Sequence, residues 1–397
     1  MWRNKFSDQE TQIISTPILQ EPEQDQAVPV DQTAAVFISS QVYRKDAFGR
    51  HHPLSIPRVA GVMDLCEELG WLEDAQYLDS PRATEDQLTR FHDPSYVQAL
   101  KQADAQGSVS KEVREHYRIG TMENPVFSGL YERATTAVGG SILAAERALR
   151  GETAFHPSGG THHGRPDRAS GFCYFNDPVF AIMTLLDGGM ERVLYVDLDA
   201  HHGDGVQDAY RDDPRVFTIS IHEEKRWPYS GPVEDRAGIA ARNLPVPRGF
   251  NDTEMEYVMN HAVLPLGRHF DPDALVVTCG TDALDGDPLS GLALSNLALW
   301  NAVEALLELT GRKVVLGGGG YNPWTLIRCW SGLWGRLSER TVPDVLPLSA
   351  QAYLQQLECD LVDDEDVRAE WTTSLADRAN HGPLRDVVKE RVDMVLR

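Results

Sequence analysis

The sequence has few cysteines, no long apolar run and a shortage of basic side chains. Its five cysteines are scattered and form no CxxC pair, which argues against a disulfide framework and against a thiolate metal site. No stretch approaches the roughly 18 apolar residues of a membrane span. The N-terminus also lacks a basic region followed by an apolar one, so no secretion signal is predicted. We therefore expect a cytoplasmic protein that does not enter a membrane.

The charge balance excludes one class of partner. The chain carries 37 basic and 60 acidic side chains, which gives a formal net charge of -23. Because binding to a nucleic-acid backbone requires Lys and Arg to displace counterions, no direct nucleic-acid partner is expected. The surplus of carboxylates either keeps the protein soluble or attracts cationic substrates and basic protein segments. Charge alone does not separate these two interpretations.

Length and composition predict a single folded domain with a short extension. A chain of 397 residues, of which 42% are hydrophobic, can bury a large core. Residues 1–31 are more acidic than basic, show no sustained periodicity and are predicted to form a loosely ordered N-terminal extension. Residues 32–397 are predicted to form the domain proper, with a helical tail from about residue 344.

Short apolar runs alternate with helical patterns along this domain. Strands are predicted at 34–38, 192–197, 216–221, 274–279 and 313–316, and helices at 57–70, 85–91, 94–106 and 125–151. This alternation indicates an α/β fold, with a mainly parallel multi-stranded sheet covered by helices on both faces. Ligands of such sheets bind beyond the carboxyl ends of the strands, and the polar motifs of this chain follow predicted strands.

The segment YVDLDAHHGDG, residues 195–205, crowds three Asp and two His at the end of an apolar run. In extended backbone, Asp199 and His201 project to the same side, so both can reach one ion at roughly 2.0–2.2 Å. Asp282, in the segment TCGTDALDGDP, follows another predicted strand and would supply a third ligand. Two carboxylates and one imidazole predict a catalytic zinc site with one ion per chain. The alternative, loop capping by Asx turns and a surface histidine, stays open, most of all for Asp282.

A second cluster, GGTHHGRPDRASGFCYFND at residues 159–177, contains adjacent histidines flanked by glycines. In a loop, His162 and His163 can donate and accept protons at a reactive carbonyl. Each ring needs a carboxylate at its other nitrogen to fix its tautomer, and Asp197 and Asp204 are available for this. An isolated pair of histidines is usually incidental, so this interpretation depends on the neighbouring motifs.

The third cluster is LGGGGYNPWTLIRCW, residues 316–330. Its glycines, Gly319 among them, allow the backbone to approach a ligand closely. Tyr321 follows them with a phenolic hydroxyl that can donate a hydrogen bond, so we predict that it stabilises an oxyanion. Phosphate binding is not favoured, because the Lys and the Ser or Thr of a P-loop are absent.

In this order and at these separations, the three clusters resemble the histone deacetylase superfamily, which includes lysine deacetylases, bacterial acetoin utilisation proteins and acetylpolyamine amidohydrolases. The resemblance extends from about residue 34 to about residue 340 and implies the arginase/deacetylase fold, with residues 32–397 as the catalytic domain. His163 would be the general base and then the general acid, and His162 mainly an electrostatic partner. By this resemblance, zinc would be bound by Asp199, His201 and Asp282, and Tyr321 would polarise the substrate carbonyl. His163 would pair with Asp204, and His162 with Asp197.

The resemblance also implies a potassium ion and a substrate tunnel. The potassium ion would be held by the side chains of Asp197 and Ser220 and by the backbone carbonyls of Asp199 and His201. An acyl-lysine tunnel would have aromatic walls and a glycine floor, with an acidic residue at its mouth that grips substrate backbone amides. The residues that match these features are Phe172 and Trp227 for the walls, Gly171 and Gly319 for the glycines, and Glu123 for the acidic residue.

One position bears on the substrate. Relatives that prefer acetylated polyamines place a Glu seven residues after the third metal ligand, where this chain has Leu289. The resemblance therefore implies a zinc-dependent deacetylase that uses metal-activated water on acetyl-lysine, or another acyl-lysine, in peptides or proteins. The alternative is an amidohydrolase of acetylpolyamines or other small acylamides.

Two other functions are less favoured. A two-metal ureohydrolase similar to arginase would need further bridging carboxylates, whereas Asp197 and Asp204 are assigned to the histidines. A non-enzymatic interaction module would require a missing catalytic residue, and none is missing. The sequence leaves the oligomeric state open, including a homo-oligomer.

Overall fold

The computed structural model describes residues 35–45, 47–49 and 51–397. The predicted N-terminal extension, residues 1–31, lies outside the described residues, and so does residue 34, the first of the predicted strand 34–38. The division of the chain into an extension and a domain at residues 31 and 32 stays a prediction.

Within the described residues, eight strands form one sheet in which every neighbouring pair is parallel. Their order across the sheet is β2-β1-β3-β8-β7-β4-β5-β6. Parallel neighbours need long crossover connections, and most connections here contain helices, although the strands Val216–Glu223 and Ala241–Val246 are joined without an α-helix. The predicted α/β class with a parallel sheet is confirmed. The strands are β1 (Ala35–Ser39), β2 (Tyr77–Asp79), β3 (Thr153–His156), β4 (Val193–Asp197), β5 (Val216–Glu223), β6 (Ala241–Val246), β7 (Ala274–Thr278) and β8 (Lys313–Leu316).

The helices occupy most of the segments between strands. A π-helical turn, Met259–Val263, joins two of them. The α-helices that the structure describes are α1 (Arg58–Glu68), α2 (Glu85–Leu88), α3 (Pro94–Gln106), α4 (Lys111–Tyr117), α5 (Leu130–Leu149), α6 (Asp177–Asp187), α7 (Asp204–Ala209), α8 (Asp252–Val258), α9 (Leu264–Phe270), α10 (Asn296–Leu307), α11 (Pro323–Leu337), α12 (Leu348–Gln355) and α13 (Asp386–Val395).

The start predicted for the long helix at 125–151 is wrong, because α5 begins only at Leu130. Gly129 precedes it with φ +81°, a left-handed conformation that no helix interior adopts. The Asp104 carboxylate of α3 accepts hydrogen bonds from the backbone N–H groups of Gly129 (2.8 Å) and Tyr131 (3.0 Å). The carboxylate therefore accepts hydrogen bonds from backbone N–H groups that have no partner within the first turn of α5.

Alternate residues of the central strands pack into different layers. Leu194 and Val196 of β4 belong to a core that includes Trp330 of α11. Val193 and Tyr195 belong to a second core, which includes residues of α5 and α6. Because side chains of a strand alternate between its two faces, helices cover both faces of the sheet, as predicted. Each helix that the structure describes is too short or too polar to reach across a bilayer.

The order of the sheet brings the motif segments together. β8, β7 and β4 are neighbours, and the register places Asp197, the last residue of β4, opposite Thr278, the last residue of β7. All strands run in one direction, so the segments after these residues leave the sheet at the same edge. The site described next lies at that edge.

Candidate active site

Three buried side chains converge beyond the carboxyl ends of β4 and β7. His201 Nδ1 lies 2.9 Å from Asp282 Oδ2 and 3.2 Å from Asp199 Oδ1. One donor atom from each of these residues lies within 4.8 Å of the other two. The structure therefore brings together the three side chains predicted to bind zinc, although they come from two separate segments of the chain.

This donor set fits a zinc ion. Two buried carboxylates close to one another are costly unless a cation or hydrogen-bond donors balance their charge. Backbone N–H groups orient both of them: Gly319 donates to Asp199 Oδ2 (2.5 Å), and Ala200 donates to Asp282 Oδ1 (3.0 Å). Two carboxylate oxygens and one imidazole nitrogen match the three protein ligands that a catalytic zinc site provides.

The buried carboxylates of this cluster favour a positive charge beside them. Burial raises the pKa of Asp282, and the negative charge of Asp199 raises it further. Burial opposes protonation of His201, but hydrogen bonds from its ring to Asp199 and Asp282 outweigh burial and raise the pKa of His201 to about 10. A proton on His201 and a divalent cation therefore compete for the same carboxylates.

Two adjacent histidines stand beside the cluster, each held by a carboxylate. His162 Nδ1 lies 2.6 Å from Asp197 Oδ2, and His163 Nδ1 lies 2.7 Å from Asp204 Oδ1. Because an ionised carboxylate can only accept, Nδ1 of each ring must carry the proton. In a neutral ring Nε2 is then an acceptor, which is the state a general base requires.

The two rings differ in charge. Burial opposes protonation of His162, but Asp197 and Asp199 outweigh it and raise the pKa of His162 to about 9. Burial lowers the pKa of His163 to about 3, and the charge of His162 contributes to the decrease. The surroundings therefore favour the charged form of His162 and the neutral form of His163, which fits the separate roles predicted for them.

Sequence reasoning missed two residues that hold the carboxylates. The Tyr195 hydroxyl donates to Asp197 Oδ2 (2.7 Å), and Arg165 donates to Asp204 Oδ2. Both lie within segments that the motifs had already marked, two residues before Asp197 and two after His163. Their position beside the predicted functional residues was the available signal.

Tyr321 lines the same cavity as His163 and is buried. Its backbone N–H donates to Asp287 Oδ2 (2.7 Å), a contact that sequence reasoning did not predict. Burial raises the pKa of Tyr321 well above its usual value, and the charges of Asp282 and Asp199 add to this effect. The phenol therefore stays protonated and available as a hydrogen-bond donor.

A cavity of about 560 Å³ opens above these groups. The indole of Trp227 meets the His163 ring edge-on at 4.6 Å, and the Phe172 ring lies 5.8 Å from that of Tyr321. Glu123 contacts the lining of the cavity directly, because its Oε1 accepts a hydrogen bond from the Gly171 N–H (2.7 Å). The predicted substrate residues that line the cavity are Glu123, Gly171, Phe172, Trp227 and Leu289.

Gly319 is placed differently from the other predicted substrate residues. Besides its hydrogen bond to Asp199, a Cβ built at this glycine would lie 2.1 Å from Asp282 Oδ2. The residue therefore packs against two of the carboxylates rather than against the cavity above them. Any larger residue here would displace the Asp282 side chain.

The two side chains predicted to hold potassium are neighbours. Asp197 and Ser220 lie opposite one another in the register of β4 and β5. The Ser220 hydroxyl is 2.9 Å from Nδ1 of His222, and Asp197 Oδ2 is engaged by His162 and Tyr195. The potassium ion itself stays a prediction.

Comparison with known proteins agrees with the geometry. The Histone deacetylase domain family matches residues 52–337. The acetoin utilization protein AcuC of Bacillus subtilis is 34% identical over 315 residues, which cover 76% of this chain and 81% of that protein. Histone deacetylase 8 of Xenopus tropicalis is 31% identical over 301 residues, which cover 74% of this chain and 81% of that one.

Solved structures give the same result. The crystal structure of an HDAC homolog from Aquifex aeolicus superposes with a TM-score of 0.87 and 35% identity, covering 91% of this chain and 99% of that chain. An HDAC homolog solved in complex with SAHA matches equally well, with a TM-score of 0.87. The family match spans most of the described residues, and the relatives align over most of their own length. This chain belongs to the histone deacetylase family.

Proposed function

We propose that this chain is a zinc-dependent deacetylase that hydrolyses the amide of acetyl-lysine, or of another acyl-lysine, in peptides or proteins. The observation that carries the proposal is the cluster of Asp199, His201 and Asp282, whose His201 lines a cavity together with aromatic side chains. Membership of the histone deacetylase family supports deacetylase activity.

Zinc held by these three residues would supply Lewis acidity for the acyl carbonyl and a lower pKa for the attacking water. The neutral His163 accepts the proton of that water at Nε2, while Asp204 holds its Nδ1–H. The same nitrogen then returns the proton to the departing amine. The Tyr321 hydroxyl donates a hydrogen bond to the oxyanion as it forms. The cationic His162 balances the carboxylates beside it.

The lining of the mouth favours acyl-lysine over a polyamine. The backbone carbonyl of Leu289 accepts a hydrogen bond from Arg226 (2.7 Å), and the Leu289 side chain offers no carboxylate to an ammonium group. Because Glu223 balances the charge of Arg226, the missing carboxylate at position 289 is what disfavours the second ammonium group of a polyamine. Acetylpolyamines remain the alternative substrate, because Glu123 at the same mouth is acidic.

A substrate panel tests the proposal. Purified protein would be assayed with an acetyl-lysine peptide, longer acyl-lysine peptides and an acetylated polyamine, with and without chelator, and its zinc content would be measured. We expect one zinc per chain, hydrolysis that the chelator abolishes and SAHA inhibits, and a kcat/KM that is highest for an acyl-lysine peptide. Metal-free protein that hydrolyses the peptide would refute the zinc assignment, and preference for the polyamine would refute the substrate assignment.

The proposed potassium site needs its own measurement. If Asp197 and Ser220 help to hold this ion, activity should change when potassium replaces sodium at constant ionic strength. Ser220→Ala should reduce that response and leave the zinc content unchanged. An identical response to potassium in both proteins would remove Ser220 from the site.

A further inference from the structure

The loop at residues 223–231 carries one wall of the tunnel. It begins at Glu223, the last residue of β5, and Trp227 projects from it over the rings of His163 and His201, at centroid distances of 4.6 and 6.3 Å. Lys225 and Tyr229 in the same loop have φ of +61° and +62°, conformations that cost energy for residues other than glycine. Such a loop needs tertiary contacts to hold one conformation.

Arg226 provides these contacts. Its guanidinium forms an ion pair with the Glu223 carboxylate through Nε and Nη2, and Nη1 donates to the backbone carbonyl of Leu289 (2.7 Å). Glu223 Oε2 also accepts a hydrogen bond from the Gly291 N–H (2.7 Å). The pair therefore joins the Trp227 loop to the segment at residues 287–291.

This ion pair differs from the surface pairs of the same chain. Exposed pairs contribute about 0–1 kcal/mol and often nothing measurable. The Glu223 side chain, in contrast, is only 6% exposed, so removal of its partner leaves an unbalanced carboxylate inside the protein. Arg226 itself is 28% exposed and lines the cavity.

The segment at residues 287–291 is in turn attached to the proposed catalytic tyrosine. Asp287 Oδ1 accepts from the Leu289 N–H (2.9 Å), and Oδ2 accepts from the Tyr321 N–H (2.7 Å). Hydrogen bonds thus connect the Trp227 wall with Tyr321 across the mouth of the cavity. Arg226, like Glu223 and Leu289, lines the cavity.

We propose that Arg226 is a positioning residue that holds Trp227 in place as a wall of the substrate tunnel. The inference rests on the proposed function, since it assumes that the cavity accepts an acyl-lysine side chain. A wall contacts the substrate equally before and during the reaction, so its displacement raises KM and leaves kcat nearly unchanged. Loss of folding or of metal would instead reduce the amount of active enzyme and therefore kcat.

The test compares Arg226→Met with Arg215→Met. Arg215 forms a similar pair with Asp213, but it is exposed and remote from the cavity. We expect Arg226→Met to raise KM for an acetyl-lysine peptide about tenfold, with kcat and zinc content nearly unchanged, and Arg215→Met to have no effect. The Glu223→Gln/Arg226→Met double variant, which buries no unpaired charge, should show the same increase in KM if the single variant folds poorly.

A double-mutant cycle then asks whether Arg226 acts through Trp227. In a Trp227→Ala background, where no wall is left to position, Arg226→Met should change KM less than about twofold. Equal effects in both backgrounds would overturn the proposal, and so would a fall in kcat with KM unchanged.

Hydrogen exchange separates this inference from the proposed function, because it needs no substrate. Amides of residues 224–231 should exchange faster in Arg226→Met than in the unchanged protein, while those of Arg215→Met should not. Unchanged exchange in that segment would refute the anchoring role even in an active enzyme. Inactivity of the unchanged protein towards every acyl-lysine peptide would refute the proposed function, and the exchange result would still decide whether Arg226 anchors the loop.

Discussion

His162 and His163 show how two neighbouring side chains of one type acquire different charges. Both rings are buried, and both contact a carboxylate through Nδ1. The carboxylate beside His163 is shared with Arg165, whereas His162 faces both Asp197 and Asp199. Two carboxylates raise the pKa of His162, whereas burial and the charge of His162 lower the pKa of His163.

His163→Ala should keep its zinc and lose turnover. The ring contributes no donor atom to the metal cluster, but it supplies the only neutral imidazole of the His162–His163 pair. Loss of a general base usually costs about 10²- to 10⁴-fold in rate. Metal analysis and single-turnover kinetics on the same sample would check this. A parallel loss of zinc would contradict the assignment of His163 as the base.

Tyr321→Phe should fold and bind zinc normally but lose turnover by about 10²- to 10³-fold, the usual cost of removing one oxyanion donor. Phenylalanine retains the ring that packs 5.8 Å from Phe172, so the tunnel keeps its shape. The measurements are kcat, zinc content and the melting temperature. Near-normal kcat would exclude the hydroxyl from the mechanism.

The positions of most site residues followed from the sequence, because polar clusters after apolar strands are rare and parallel strands end at one edge. Asp199, His201 and Asp282 are an example, since they meet despite a separation of about 80 residues in sequence. Arg226 and Asp287 were not predicted. Charged residues in loops are common in any sequence. Only the folded chain shows that Arg226 donates a hydrogen bond to the Leu289 carbonyl and that Asp287 accepts one from the Tyr321 N–H.

At the level of secondary structure, the apolar pattern of each strand decided what the sequence could predict. β4, β7 and β8 are largely apolar and were predicted nearly to their ends, and so was β5, in which apolar residues alternate with Thr218, Ser220 and His222. Three other strands were missed. β2 is three residues long and only half-buried, β3 is four residues long, and β6 is an edge strand that contains Asn and Pro. Edge positions tolerate such residues, so the pattern carries no strand signal there.

Helix α5 offers a prediction in which packing opposes helix propensity. Alanine is favoured over glycine inside a helix by about 1 kcal/mol. At Gly139, however, a Cβ would lie 1.9 Å from the carbonyl oxygen of Pro81 and 2.9 Å from the backbone nitrogen of Ala83. The latter N–H donates to the Thr135 carbonyl (2.9 Å), so the segment cannot withdraw without breaking this bond.

Gly139→Ala should therefore lower the free energy of unfolding, by about 1–3 kcal/mol for an overpacked contact, and reduce the melting temperature. Glu146→Ala, on an exposed position of the same helix, serves as the control and should stay within about 0.5 kcal/mol of the unchanged protein. A stabilised Gly139→Ala protein would show that α5 and the segment at residues 81–83 separate more easily than their close contact indicates.

For the molecule as a whole, the sheet and the charge act on the same site in different ways. Two core layers pack against the two faces of the sheet and position the strand ends that carry the site. The net charge of -23 acts at longer range and depends on the solvent. The long-range effect of the net charge can be changed by salt without altering the protein, so a simple experiment can test it.

If the acidic surface attracts substrates, kcat/KM for an acetyl-lysine peptide flanked by Lys and Arg should fall as salt rises. Raising KCl from about 0.01 to about 1 M shortens the Debye length from about 30 to about 3 Å, which removes long-range attraction. We expect a decrease of about tenfold or more for the basic peptide, since steering changes association rates by about 10- to 10³-fold. A neutral peptide with the same acetyl-lysine serves as the control. KCl is the salt in every assay, so both peptides meet the same potassium concentration. An equal decrease in kcat/KM for both peptides would mean that the negative charge serves solubility and does not recruit the substrate.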